Sequence, residues 1–293
     1  MTLSLPLASS EQCSPPIGMH ADGVQRRRTA PSISCITTVC FRVTRACNLR
    51  CCYCQAPPTG TQQTFEDLVA GLRWLRGRGT ERVKFTGGEP FVYPRLIELV
   101  EVCRHLGMEP TVVTNGTLIS DASIAQLCRM RARVKVSLHG PASYHDALQG
   151  AVVFDSVLDA MRRLIAAGVD TSVHTLISRQ SSLLIYDWIR FLIRERVRKV
   201  SFMPFVPRGR GQVLADRWSL TPYQREALCA ALRNAQRVFA NAIVVRYVDF
   251  LHKPYIVFET DGRLVRESAA EVNDVVLPDG PFAGSVPHHT GGC

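Results

Sequence analysis

Three cysteines in the first third of the chain are spaced to hold a metal centre. Cys47, Cys51 and Cys54 form a CxxxCxxC pattern directly after a β-branched run. Three thiolates around a 4Fe-4S cluster leave one iron without a protein ligand, and that iron can bind a substrate or cosubstrate. A structural zinc site or buried thiols are the alternatives, but zinc sites usually pair CxxC with a second CxxC or an HxxxH. No such partner pair lies nearby, so the spacing favours an iron-sulfur centre with an open coordination position.

A glycine-rich turn follows the next predicted strand, with the sequence Thr86-Gly87-Gly88-Glu89-Pro90. Two glycines let the backbone approach a ligand closely, and a carboxylate adds an acceptor for an ammonium group. Taken alone, the same sequence is also compatible with a plain turn and a helix-initiating proline.

The segment from Cys47 to Cys54 reads Cys-Asn-Leu-Arg-Cys-Cys-Tyr-Cys. It resembles the cluster loop of the radical S-adenosylmethionine (radical SAM) superfamily, including the aromatic residue, Tyr53, before the last cysteine. The turn one strand later resembles the GGEP motif of the same family, which binds the amino group of S-adenosylmethionine (SAM). The resemblance therefore implies a 4Fe-4S cluster on the three cysteines and SAM as the second cofactor, with Gly87, Gly88, Glu89 and Pro90 at the SAM amino group.

Further SAM contacts are implied at the ends of later strands. Asn115 follows the third strand, where it lines the SAM site or belongs to a plain Asn-Gly turn, and Ser137 ends the fourth, where it holds the methionine carboxylate or ribose. The chain departs from several relatives at Gln149, where they carry an arginine that pairs with the SAM carboxylate. Arg179 is the substitute we assign to that role. The strand at 202–206 resembles the adenine-contacting strand of the family, which adds Met203 and Phe205 to the implied SAM contacts.

Four residues are candidates for substrate chemistry. Arg208 and Arg210, in a Gly-Arg-Gly loop, can bind an anionic group bidentately or else belong to a solvated loop. His139 either faces the substrate or caps its loop. If a thiol donates a hydrogen atom, Cys229 or Cys293 is the candidate, because the other downstream cysteines fall on predicted outer helices.

The sequence leaves the charge of the substrate open. A sugar acid requires arginines, and Arg246 joins the two loop arginines near predicted strand ends. A polycationic aminoglycoside requires carboxylates, and Asp216, Asp249 and Glu259 are the residues available for that purpose.

The formal net charge of this 293-residue chain is +10. Such an excess of positive charge is typical of proteins that bind nucleic acid or anionic substrates. Only four of the 35 basic residues are lysines, however, and the positive charges are scattered apart from 26–28 and 194–199. No basic stretch is interleaved with aromatic residues. We therefore expect a small-molecule substrate and no nucleic-acid partner.

Cysteine content and hydropathy bear on the compartment. No run of about 18 apolar residues is present, so no segment is predicted to span a bilayer. The N-terminus has a short apolar run without a preceding basic region, which argues against a signal peptide. Eleven cysteines in such a chain indicate a reducing compartment and metal or redox chemistry. We expect a cytoplasmic protein without membrane contact.

Strands and helices alternate between residues 35 and 240. Periodicity predicts strands at 39–44, 82–86, 110–114, 133–138, 170–177 and 198–206, and helices at 64–77, 94–106, 120–131, 153–167, 183–195 and 221–239. Alternation with short connectors requires parallel pairing and right-handed crossovers. The prediction is an α/β fold, a partial (β/α)6 TIM-type barrel, which is also the fold that the resemblance implies. Its active site belongs at the C-terminal ends of the strands.

Two segments flank this barrel. Residues 1–34 are rich in Ser, Pro, Gln and Arg without periodicity, which predicts a flexible leader. Residues 241–293 are predicted as a short C-terminal extension with a strand at 243–247 and a hairpin at 255–265. Larger radical SAM relatives hold auxiliary clusters in such an extension. Only two cysteines occur beyond residue 206, so we predict a single cluster.

The resemblance implies reductive cleavage of SAM at the cluster, hydrogen abstraction from the substrate, and flavodoxin or ferredoxin as electron donor. A compact single-cluster enzyme fits a redox-neutral outcome such as decarboxylation, epimerisation or rearrangement. The nearest resemblance is to antibiotic-tailoring members that act on sugars or nucleosides, among them a cytosylglucuronate decarboxylase and an aminoglycoside epimerase. The alternatives are a radical SAM enzyme of peptides or proteins, a cofactor-biosynthesis enzyme like the molybdopterin-precursor cyclase, and a non-catalytic iron-sulfur protein.

Overall fold

The computed structural model describes residues 36–250, 252–278 and 280–281. The leader predicted at 1–34 lies outside the described residues, and so does Cys293, one of the two candidate thiol donors. Within the described ranges, none of the helices is long and apolar enough to cross a membrane.

The described ranges contain ten strands and eight α-helices. The strands are β1 (Thr38–Thr44), β2 (Arg82–Gly87), β3 (Glu109–Thr114), β4 (Arg133–Ser137), β5 (Thr171–Ile177), β6 (Lys199–Pro204), β7 (Val244–Tyr247), β8 (Tyr255–Phe258), β9 (Leu264–Glu267) and β10 (Val275–Leu277). The helices are α1 (Phe65–Gly77), α2 (Leu96–His105), α3 (Asp121–Arg129), α4 (Ala142–Gln149), α5 (Phe154–Ala166), α6 (Ile185–Arg194), α7 (Ala215–Trp218) and α8 (Pro222–Val238).

One sheet carries all ten strands, in the order β10-β9-β8-β1-β2-β3-β4-β5-β6-β7. The strands from β1 to β7 pair in parallel in chain order, and each of the first six is followed by a helix that returns the chain to the same end of the sheet. This architecture confirms the predicted α/β class. The six predicted strands and six predicted helices are all present, while the short helices α4 and α7 and the strand β10 were not predicted.

Alternation along the strands separates a helix-facing side from an inner side. Val39, Phe41 and Val43 of β1 are buried in the apolar core that the helices cover. Cys40 and Arg42 lie between them in sequence and therefore point to the opposite side of the sheet. We call this opposite, inner side of the curved sheet the lumen. Polar and reactive side chains can therefore face the lumen, because their apolar neighbours on the same strand pack into the core on the other side.

The C-terminal segment adds to both edges of the barrel sheet. β7 pairs in parallel with β6, and β8 pairs in parallel with β1. β8 and β9 are antiparallel, as the predicted hairpin requires. Because β7 continues the parallel sheet of the barrel, the domain boundary at residue 240 stays a prediction.

A buried ion-pair network fixes the hairpin to the barrel. Arg42 on β1 donates to Glu259 and, through two bonds of 2.8 Å, to Glu267. Arg208, in the loop after β6, donates to the same Glu267 and bidentately to Asp274, at 2.9 and 2.6 Å. Arg45 also donates to Glu259 and completes a set of three arginines and three carboxylates. We call this set the arginine network. Its charges balance, which buried charges require.

Candidate active site

The loop after β1 presents the three predicted ligands at the C-terminal edge of the sheet. Cys47, Cys51 and Cys54 are all half-buried and unpaired by disulfides. An open cavity of about 530 Å³ adjoins them and is lined by Cys47, Leu49, Arg50, Pro58 and Arg210. This is the edge at which barrel sites are built.

The GGEP turn holds the cysteine loop through its backbone. The amide of Gly88 donates to the carbonyl of Thr44 at 2.8 Å, and the amide of Glu89 donates to the carbonyl of Ala46 at 2.9 Å. A Cβ at Gly88 would collide with the Ala46 carbonyl oxygen, so only glycine allows this approach. The two motifs found in the sequence are therefore parts of one structure.

The loop after β6 closes on the other side of the cysteine loop. The amide of Arg210 donates to the carbonyl of Cys54 at 2.9 Å. Gly209 has φ +57°, and a Cβ there would collide with the same carbonyl. Arg210 thereby lines the cavity next to Cys47, and its role toward an anionic group stays a prediction.

The three thiols affect one another electrostatically. Burial, and after it the neighbouring thiols of Cys47 and Cys54, raise the pKa of Cys51 to about 12. Burial also raises the pKa of Cys47. Thiols with such pKa values keep their protons until a cationic centre binds and displaces them. Among the described residues, no three His, Cys, Asp or Glu side chains are grouped closely enough to hold a single metal ion.

The buried Gln149 and the half-buried Tyr53 both contact the sulfur of Cys51. The Cys51 thiol donates to Oε1 of Gln149 at 2.6 Å, and the hydroxyl of Tyr53 is also hydrogen-bonded to it. Nε2 of Gln149 is buried and has no hydrogen-bond partner among the described residues. When Cys51 is a thiolate ligand, it accepts hydrogen bonds only, and this orphaned amide group is the available donor after a rotation of the amide. Three coupled thiols, an adjoining cavity and a spare donor fit an iron-sulfur cluster.

His139 orients Tyr53 and does not face open space. Its ring is 2% exposed, and its Nδ1 accepts from the backbone amide of Leu176. Nε2 therefore carries the proton and donates to the Tyr53 hydroxyl at 2.6 Å. The sequence predicts that His139 either faces the substrate or caps its loop. The substrate-facing role is corrected, because both ring nitrogens are already engaged, one with the Leu176 amide and the other with Tyr53.

Glu89 joins three segments at the bottom of the site. Its carboxylate accepts from the Thr114 hydroxyl and the Asn115 amide, both at 2.7 Å, and from the Phe91 amide at 3.1 Å. Burial raises the pKa of Glu89 to about 7, and the three hydrogen bonds limit that rise. Its predicted role at the SAM amino group stays a prediction.

The pH dependence of stability should report on Glu89. The folded chain releases its proton at about pH 7, whereas the unfolded chain releases it near the ordinary value of 4.5. Between these values the folded state binds more protons, so this group's contribution to stability is full below pH 4.5 and is lost as pH rises through 7. Relative to Glu89→Gln, the native chain should lose roughly 3 kcal/mol of unfolding free energy across this window.

Urea unfolding at closely spaced pH values measures this difference. Glu98→Gln is the control, because Glu98 is exposed and Arg95 lowers its pKa, so its titration falls below the window. Parallel pH curves for the native chain and Glu89→Gln would contradict the assignment.

The remaining predicted SAM contacts occupy different positions. Ser137 ends β4 and Met203 lies on the inner side of β6, both half-buried at the predicted edge. Asn115 donates to Asn48 of the cysteine loop at 2.9 Å. Pro90 is buried at the start of a 3-10 turn (Pro90–Val92), and Phe205 is buried against Trp218. Their roles toward SAM stay predictions.

Three predicted residues are placed away from the cavity, and we correct them. Arg208 is 6% exposed, and both of its terminal amino groups are committed to the arginine network. Its Nε has no partner among the described residues but is buried, and the side chain does not line the cavity. Arg179 is exposed and donates to the carbonyl of Ser219 at 2.9 Å, so it does not replace the missing arginine. Cys229 lies on the outer helix α8, where its thiol hydrogen-bonds to Tyr247.

Lumen-facing residues were missed in the sequence. Cys40, Lys84 and Lys135 are half-buried on strands β1, β2 and β4. The alternation of apolar and polar residues along each strand could have predicted this orientation. Each of the three residues stands between two apolar neighbours that face the helices.

The fold and the site define an α/β barrel protein with a three-thiol cluster loop and a glycine turn bonded to it. Residues 41–181 match the sequence family described as the Radical SAM superfamily. This part of the chain is therefore similar to the radical SAM superfamily, whose characteristic cofactors are a 4Fe-4S cluster and SAM.

Similar proteins fall in the same class. The chain is 28% identical over 206 residues to Fe-coproporphyrin III synthase of Methanosarcina barkeri, which covers 68% of this chain and 52% of that protein. It is 31% identical over 180 residues to GTP 3',8-cyclase of Chlorobaculum tepidum, which covers 56% of this chain and 52% of that one. The chain thus spans about half the length of the curated relatives it matches.

Solved structures agree on the fold. SuiB of Streptococcus suis bound to S-adenosylmethionine matches with a TM-score of 0.65 at 15% identity, over 83% of this chain and 63% of that one. This likeness confirms the partial TIM-type barrel.

Proposed function

We propose that this chain is a radical SAM enzyme that cleaves SAM reductively at a single 4Fe-4S cluster and abstracts a hydrogen atom from a small molecule. The observation that carries the proposal is the direct backbone bonding of the GGEP turn to the cysteine loop, at 2.8 and 2.9 Å. It fixes a three-thiol ligand set, which would leave one iron open, beside a glycine backbone edge that a ligand can approach closely. Neither a zinc site nor an electron-carrying module requires that second element.

The chain's own residues have separate tasks in this proposal. Cys47, Cys51 and Cys54 hold the cluster, and the GGEP edge receives the amino group of SAM. When bound, the cluster and SAM supply an electron and a 5′-deoxyadenosyl radical that removes hydrogen from an unactivated carbon. Tyr53 and Gln149 orient the Cys51 sulfur by hydrogen bonds. The barrel walls keep water and stray hydrogen donors away from the reacting carbon.

A sugar or nucleoside in natural-product biosynthesis is the substrate class we propose. The name of one relative, GTP 3',8-cyclase, refers to a nucleotide, which is compatible with this class. As the outcome of the reaction we propose a redox-neutral decarboxylation, epimerisation or rearrangement. A reducing, cytoplasmic setting with flavodoxin or ferredoxin as electron donor completes the proposal.

The test is anaerobic reconstitution of the full chain with iron and sulfide, followed by dithionite and SAM. We expect four irons per chain and formation of 5′-deoxyadenosine, measured by mass spectrometry. Deuterated sugar acids and nucleosides then serve as substrates, and transfer of deuterium into 5′-deoxyadenosine identifies the one that reacts.

Two results would overturn the proposal. Zinc in place of iron after purification and reconstitution would remove the cluster. A fully loaded cluster that yields no 5′-deoxyadenosine, with or without the candidate substrates, would leave an iron-sulfur protein without SAM chemistry.

A further inference from the structure

Two of the four lysines in the chain point into the lumen. Lys84 lies between the core residues Val83 and Phe85 on β2, and Lys135 lies between Val134 and Val136 on β4. Because alternate residues face opposite sides of a strand, both ammonium groups lie on the inner side of the sheet. Both side chains are half-buried, so solvent or a ligand can reach them.

Charges from distant strands converge on Lys135. Its pKa is lowered to about 8, first by burial and then by the positive charges of Lys84 and Arg246. Lys84 is on β2 and Arg246 on β7, at opposite sides of the seven-strand parallel array. Only the curl of the sheet brings them to the same space. His174 on β5 faces it too, since Lys135 and Lys84 add to burial in lowering its pKa to about 3.

Neighbouring groups hold the two ammonium groups in place. Nζ of Lys84 lies over the ring of Tyr255, 5.2 Å from its centroid. Nζ of Lys135 is 3.4 Å from the hydroxyl of Ser201 on β6. A cation-π contact and one neutral hydrogen bond orient these cations without neutralising them.

No carboxylate neutralises this group within the part of the chain that the structure describes. No Asp or Glu there forms an ion pair with Lys84, Lys135 or Arg246, whereas Lys199, at the start of β6, pairs with Asp170 at 3.4 Å. The acids that reach the lumen walls are engaged elsewhere: Glu267 with Arg42 and Arg208, and Asp249 with His252. In the adjoining arginine network, by contrast, each buried cation has its anion.

A half-buried cation without a counter-charge lowers the stability of the folded chain unless a bound anion compensates its charge. Building on the proposed function, we infer that Lys84, Lys135 and Arg246 form a binding site for an anionic group of the substrate, a carboxylate or a phosphate. Compact lysine charges suit both groups, and an arginine at the exposed rim adds a bidentate contact. The site lies one layer below Ser137, at the bottom of the lumen.

This inference decides between the two substrate types that the sequence left open. A polycationic aminoglycoside would be repelled by three positive charges. Two of the three carboxylates considered for it are also engaged elsewhere, because Glu259 belongs to the arginine network and Asp249 bonds His252. A sugar acid or a phosphorylated nucleoside is the substrate class that fits.

The scarcity of lysines makes the site measurable in the full, reconstituted chain. The lysines are acetylated with an uncharged reagent in three samples of equal ionic strength, which contain inorganic phosphate, succinate, or sodium chloride alone. Mass spectrometry then measures the rate of acetylation at each lysine. We expect phosphate or succinate to slow acetylation of Lys84 and Lys135 by about threefold or more at concentrations above the dissociation constant. Lys253, which is exposed, should be unaffected. If phosphate protects the two lysines more strongly than succinate, the site binds a phosphate group. If succinate protects them more strongly, the site binds a carboxylate.

Calorimetric titration with the protecting anion provides a second readout. Lys84→Met and Lys135→Gln should each weaken binding by at least about tenfold. Lys253→Met is the matched control, since it also removes one positive charge but lies exposed in the segment before β8. Circular dichroism of each variant verifies that the barrel is folded.

The outcomes separate this inference from the proposed function. Protection of the two lumen lysines that is lost in their variants establishes the anion site, even in a preparation that does not cleave SAM. Equal protection of all four lysines, or no protection by either anion in a chain that cleaves SAM, overturns the anion site and leaves the proposed function standing.

Discussion

Replacing Cys51 by alanine is expected to abolish cluster loading and to lower SAM cleavage by at least about 100-fold. Burial raises the pKa of Cys51, and both other thiols act on it electrostatically. Two remaining thiols cannot hold a cluster with one open iron. Iron and sulfide content, together with 5′-deoxyadenosine formation after reconstitution, measure the loss.

Cys52→Ala is the matched control for this variant. Cys52 is adjacent in sequence, but its thiol donates to the carbonyl of Leu148 at 3.6 Å and not toward the other cysteines. Its loss should leave iron content and SAM cleavage within about a factor of two, since a thiol is a weak hydrogen-bond donor. Equal loss in both variants, or an intact cluster in Cys51→Ala, would contradict the ligand assignment.

Arg42→Met is expected to destabilise the fold by roughly 3–5 kcal/mol, because it leaves two buried carboxylates without their main counter-charge. Glu259 and Glu267 are 7% and 5% exposed and belong to the hairpin, whereas Arg42 belongs to β1. The variant should therefore detach the hairpin from the barrel edge. Urea unfolding monitored by circular dichroism measures the change.

Arg190→Met removes an exposed arginine and provides the comparison. Its ion pair with Asp187 spans 3.0 Å on the surface of α6, where such pairs contribute less than about 1 kcal/mol. If Arg42→Met were as mild as Arg190→Met, the arginine network would not be what fixes the hairpin.

The arginine network also reaches the cofactor site. Arg208 holds the loop in which Gly209 and Arg210 contact the carbonyl of Cys54. A loosened hairpin should therefore lower cluster retention as well as stability in Arg42→Met. This coupling explains why an arginine expected to bind substrate is better understood as part of the scaffold.

Local patterns in the sequence determined the elements and the cofactor motifs. The spacing of Cys47, Cys51 and Cys54 and the GGEP turn are contiguous signals, and strand alternation with helical periodicity reports burial within one element. These signals act over a few residues, so they specify the barrel class and its cluster loop. The short helix α4 was missed because its eight residues, with polar His145 and Gln149 on the buried side, show little apolar periodicity.

Only the tertiary structure decided which side chains meet. Arg42 and Glu259 are 217 residues apart, so no local pattern pairs them. Cys229 looked available as a thiol, yet helix α8 places it on the outside of the sheet. Lys84 and Lys135 appeared unremarkable in sequence, and the curl of the sheet makes them neighbours. Contacts between strands depend on register and closure of the whole sheet, which the sequence specifies only through the complete fold.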